Sequence, residues 1–89
     1  VGRLLRFRVT VEVNGLEGIS DPEGQTIERT LPLLGFSAVS HVRTGKLFRF
    51  DLEAVDAAEA ERLSGELCER LLANPVIEQA EVRVAAAGS

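Results

Sequence analysis

The chain is 89 residues long, the length of one domain, and a domain this small has a core that is marginal by itself. Its 14 acidic and 10 basic residues leave a net charge of −4, which excludes a general nucleic-acid binder working by phosphate neutralisation. One cysteine excludes an internal disulfide framework, and one cysteine with one histidine cannot furnish a Cys/His zinc site.

From Leu5 to Val13 the residues alternate, with Leu5, Phe7, Val9, Val11 and Val13 on one face and Arg6, Arg8, Thr10 and Glu12 on the other. Period two over this length predicts a half-buried strand. Asn14-Gly15 marks a turn or loop reaching Ser20. Asp21-Pro22-Glu23 has the order of a helix start: Asp as N-cap, Pro at the first helical position, Glu beside the positive helix end. Ile27, Leu31 and Leu34 form its apolar stripe, and Gly35 supplies a stop. Pro32 lacks an amide donor, so a kink or an early helix end is expected.

Ser37 to Thr44 suits neither period well, and a bulged strand is the expectation there. Gly45-Lys46 could turn the chain into a firmer strand, where Phe48, Phe50 and Leu52 alternate with Arg49, Asp51 and Glu53. Asp56-Ala57-Ala58-Glu59 resembles a capping box. The helix it opens carries an apolar stripe of Ala60, Leu63, Leu67 and Leu71 beside Ser64, Cys68 and Leu72, and Asn74-Pro75 ends it. Ile77 to Val84 supplies the last strand, and residues 85–89 are expected to be a flexible tail after a single domain over 1–84. No run approaches the roughly 20 apolar residues that cross a bilayer, and no signal-peptide pattern is present. The chain has no Met, so its initiator is expected to be processed or to lie outside this sequence.

This pattern predicts an α+β two-layer sandwich of βαββαβ, ferredoxin-like order, with two helices covering a mostly antiparallel sheet. Residues 1–50 hold seven basic and five acidic groups, and residues 51–89 hold three and nine. Such a split favours a complementary surface, including another copy of the chain, so a dimer or higher assembly is expected.

Candidate chemistry is sparse. Cys68 sits late in a helix on its apolar stripe, away from the positive helix end that activates a thiolate, and is expected to be inert. His41 has no partner of catalytic type, and carboxylate pairs such as Glu59 with Glu66 lie on solvated faces. Neither GxxxxGK[ST] nor GxGxxG occurs. Gly45-Lys46-Leu47-Phe48-Arg49-Phe50 has a loose likeness to the aromatic strand of an RNA-recognition domain, but Phe48 and Phe50 share a face with Leu52 and suit the core.

Three blocks go further: Ser20-Asp21-Pro22-Glu23-Gly24-Gln25-Thr26, Val42-Arg43-Thr44-Gly45-Lys46, and Cys68-Glu69-Arg70-Leu71-Leu72-Ala73-Asn74-Pro75-Val76-Ile77-Glu78. Together, and in this order, they resemble the PurS family, the small subunit of phosphoribosylformylglycinamidine (FGAM) synthase of de novo purine synthesis. Pro32 and the longer segment from Gly15 to Ile19 depart from the family pattern. The single Cys suits a reduced, cytoplasmic chain, and the resemblance implies a non-catalytic subunit with no cofactor of its own. ATP and Mg would belong to the synthetase partner (PurL), and glutamine hydrolysis to the glutaminase partner (PurQ). The small subunit would bridge the two and assist ammonia transfer, and would form homodimers or larger assemblies.

Mapping the blocks onto this chain selects Arg43, Gly45, Lys46, Asn74 and Pro75 as partner or oligomer interface residues. Arg43 and Lys46 can donate charge-assisted hydrogen bonds to a partner. Gly45 and Asn74 equally suit turn geometry, as Asp21 and Pro22 suit a helix start. A dimeric regulatory module that binds a small molecule is the alternative reading of the same strand order.

Overall fold

A computed structural model describes residues 3–87. Strand β1 (Leu5–Gly15) is followed by helix α1 (Pro22–Thr30), which runs into a 3-10 turn over Leu31–Leu34. Strand β2 (Gly45–Ala54), helix α2 (Ala57–Leu67), a π turn over Cys68–Leu72 and strand β3 (Glu78–Ala86) complete the chain. The sheet has the order β2-β1-β3, and both pairings are antiparallel.

The alternation in β1 decides which face is covered. Val9, Val11 and Val13 are fully buried and Phe7 nearly so. Val9 is flanked by Phe50 and Val84, and Val11 by Phe48 and Val82. Each such buried side chain contributes about 2 kcal/mol by leaving water. Phe48 and Phe50 pack against this core, so they are not a stacking platform. On the other face, Arg8 meets Asp51 at 3.7 Å and Arg83 meets Glu12 at 3.8 Å. These exposed pairs set cross-strand complementarity and add little stability.

Helix α2 lies on the apolar face through Ala60, Ser64 and Cys68, all buried, and it opens as its sequence predicts. The Asp56 carboxylate accepts from the Glu59 N–H at 2.8 Å, while Glu59 reaches back to the Val55 N–H at 3.0 Å. Small residues at three successive turns let the helix backbone approach the sheet closely. Leu71, expected on the stripe, is instead exposed within the π turn.

The α+β class, the antiparallel sheet and the two helices are as the sequence indicates, and the departures are local. Ser37 to Thr44 is not a strand, so one of the two adjacent strands of the βαββαβ order is missing from the sheet. Gly35 closes the 3-10 turn in the left-handed region at φ 92°, and His41 also lies there at φ 57°. The Val42 and Thr44 N–H groups are spent on the carboxylates of Glu28 and Asp21, which leaves them unavailable to a ladder. Pro32 ends the α-helix early: regular geometry stops at Thr30 and tightens into the 3-10 turn. At the other end β3 runs on through Ala85 and Ala86, which pair with Arg8 and Phe7. The Ala87 N–H donates to the Arg6 carbonyl at 3.0 Å, while Gly88 and Ser89 of the expected tail lie outside the described residues, as do Val1 and Gly2.

Of the two helices expected to cover the sheet, only α2 does so. Helix α1 leaves from the sheet end and makes no substantial contact with a strand or with α2. An 11-residue strand spans about 37 Å, and α1 with its 3-10 turn about 21 Å. The long axis of 60 Å is what the two give when laid end to end. The radius of gyration is 17.3 Å, against about 12 Å for a compact chain of this length.

Candidate functional site

The register brings one end of every strand to the same place. Asn14 pairs with Gly45, and Gly15 pairs with Glu78. The start of α1 closes over this end and leaves a cleft of about 340 Å³. Its walls include Ile19, Asp21, Arg43, Lys46, Ile77 and Glu78.

Asp21 is the most heavily bonded side chain of the cleft. One carboxylate oxygen accepts from the Gly24 N–H at 2.9 Å, which caps α1, and from the Thr44 hydroxyl at 2.7 Å. The other accepts from the Thr44 N–H at 2.6 Å. The Thr44 amide, then the Gly24 amide and the Thr44 hydroxyl, hold the Asp21 pKa down at about 2 from its ordinary 3.8, with Arg43 helping. The Arg43 guanidinium stands 3.7 Å from Asp21 and donates to the Ile19 carbonyl at 3.1 Å. Its side chain remains half exposed.

Three of the five residues selected from sequence therefore meet in one cleft: Arg43, Gly45 and Lys46. Gly45 has a steric reason to be glycine, since a Cβ there would run into Asn14 Oδ1 and the Val13 carbonyl oxygen. Asn74 builds the turn before β3. Its side-chain oxygen accepts from the Val76 N–H at 3.1 Å, and its own N–H donates to Glu78 Oε1 at 2.8 Å. Pro75 faces elsewhere, into a shallow groove of about 240 Å³ shared with Cys68, Ala80 and Val82. Sequence reasoning took Asp21 for a helix cap only and did not single out Glu28 or Thr44. The signal for Asp21 and Thr44 lay in the Ser20–Thr26 and Val42–Lys46 blocks, which touch each other in space, whereas Glu28 lies outside both.

The chemistry available here is that of contact and hydrogen bonding. Cys68 is buried, and burial followed by the neighbouring Glu69 charge pushes its thiol pKa up, away from the reactive thiolate. Among the described residues, no group of three or more His, Cys, Asp or Glu side chains is placed to hold a metal ion. No helix among them is long and apolar enough to cross a membrane.

A second kind of surface accompanies the cleft. Ile27, Leu33, Leu34, Phe36 and Val39 are all large, apolar and exposed, and they cluster on α1 and the segment after it. Isolated exposed Leu residues are ordinary, but five large apolar side chains exposed within one short segment favour a surface that becomes covered.

Residues 8–86 match the family model described as PurS, phosphoribosylformylglycinamidine (FGAM) synthase. The FGAM synthase subunit PurS of Archaeoglobus fulgidus is 54% identical over 63 residues, covering 71% of this chain and 79% of that one. The crystal structure of the PurS subunit from Thermotoga maritima superposes with a TM-score of 0.85 at 35% identity, covering 93% of this chain and 95% of that one. A chain in the structure of PurLQS from Thermotoga maritima superposes with a TM-score of 0.83 at 35% identity, covering 90% and 98%.

Proposed function

Because this chain belongs to the PurS family of FGAM synthase subunits, we propose that it joins the glutaminase subunit PurQ to the synthetase subunit PurL and assists ammonia transfer between them. The observation that carries this reading is the near full-length match to a chain of PurLQS. Ammonia released in water is protonated or diluted, so its source and its consumer must be held together and shielded, a task for a subunit without chemistry of its own. ATP and Mg belong to the synthetase partner in this reading, and the chain itself carries no cofactor. It works in the cytoplasm, where the lone Cys68 stays a thiol.

Self-association is part of the proposal. The exposed apolar arm and the extended shape support it, since a second copy would cover what this chain leaves open. Lys46 and the half-exposed Arg43 serve at the cleft as contacts to partner carboxylates or carbonyls, while Gly45, Asn74 and Pro75 shape the backbone that presents them.

The test is reconstitution with purified PurL and PurQ, with and without this chain. Glutamine-driven product formation is expected to need the chain, whereas ammonia-driven formation persists without it. Equal glutamine-driven rates in both mixtures would overturn the coupling role and favour the small-molecule module.

A further inference from the structure

Helix α1 stands clear of the sheet, and both connections to it, residues 16–21 and 35–44, are irregular. With no substantial contact to a strand or to α2, its direction must be set by something else. Two carboxylates on the helix reach the same short segment. Asp21 accepts from the Thr44 N–H and hydroxyl, and Glu28 Oε1 accepts from the Val42 N–H at 2.9 Å. Seven residues is close to two full helical turns, so Asp21 and Glu28 lie on one face about 10 Å apart. A rod held at one point can swing, but a rod held at two points on one face has a fixed direction.

Gly24 lies on the same face between them and is the one buried residue of α1. A Cβ there would come within 2.6 Å of the Val42 carbonyl oxygen. The helix backbone therefore seats directly on residues 42–44, which run straight into β2. Ile27, three residues on from Gly24, sits at the edge of this face, and it and Leu34 remain exposed.

We propose that Asp21, Gly24 and Glu28 form a polar latch with residues 42–44 that fixes the direction of α1 against the sheet, Asp21 and Glu28 acting as positioning residues for the apolar arm. The latch does not depend on the coupling role. It is a property of the chain itself, whichever surface covers the arm.

The experiment measures residual dipolar couplings of backbone amides on the full chain. Leu34→Glu and Phe36→Glu are present throughout so that no second copy holds the arm. Asp21→Ser keeps an N-cap acceptor for Gly24 but is too short to reach Thr44, and Glu28→Ala removes the second point. With both changes, the α1 couplings are expected to fall below about 0.8 of their former amplitude relative to the sheet, as a drop in S² from about 0.85 to below about 0.6 requires, with the β1 and β2 couplings unchanged. Restoring an acceptor with Glu28→Gln in place of Glu28→Ala is expected to recover part of that loss. Should the Asp21→Ser chain fail to fold, Thr44→Val with Glu28→Ala removes one bond at each point without touching the cap. Couplings that keep α1 in its original direction in the folded double variant would overturn the latch.

Discussion

The carboxylate of Asp21 accepts two backbone N–H bonds and one hydroxyl bond, all of which favour its charged form. The folded pKa is about 2, below the ordinary 3.8, so the stabilisation is complete above that ordinary value. It is lost progressively as pH falls from about 4 through 2. The Thr44 and Gly24 amide resonances are expected to shift together with a midpoint near 2, and amides in the middle of β1 should not follow them. A joint midpoint near the ordinary carboxylate value would contradict the bonding described here.

At the scale of elements, α2 carries an avoidable cost. The Ser64 hydroxyl is fully buried and has no hydrogen-bond partner. Leaving such a group unsatisfied costs about 1–3 kcal/mol, and Ala is also the better helix former. Ser64→Ala is therefore expected to stabilise the chain by about 1 kcal/mol, seen as a higher urea midpoint with an unchanged slope. A lower midpoint would mean that the hydroxyl has a partner, such as a buried water.

The strands β1, β2 and β3 and both helix starts were legible in the sequence because their signals are local: alternation, and Asp three residues before a free amide. Residues 37–44 were not legible for the opposite reason. Their amides are taken by Glu28 and Asp21, contacts between residues distant in sequence, so no window around Val39 contains the cause. The site was half legible. Arg43, Gly45 and Lys46 were found as a block, but only the register that sets Gly45 beside Asn14 shows why a glycine stands there. The clear position of α1 was hidden because an apolar stripe states that a surface will be covered and not by which sheet.

For the whole molecule, shape and surface point the same way. A radius of gyration of 17.3 Å with Leu33 and Leu34 on an exposed arm describes a chain that is incomplete by itself. Its melting temperature is expected to rise with protein concentration, as for any fold stabilised by its own association. Leu34→Glu with Phe36→Glu should abolish that dependence and shift sedimentation to a single elongated species. A concentration-independent transition in the parent chain would argue against self-association through the arm.

The order of strands in the sheet also governs the birth of the molecule. Strand β1 is the central strand, yet one of its two neighbours is the last element of the chain, with residue 7 pairing with residue 86. A nascent chain emerging from the ribosome can therefore form the β1–β2 hairpin-like pair early. It must wait until residues 78–86 have emerged before the other flank of Val9 and Val11 is closed. Contacts this far apart in sequence make for slow folding, and until β3 arrives the middle of the sheet is an open edge. Strand β3 thus acts as the lock of the sheet, and its loss would strand the core half built.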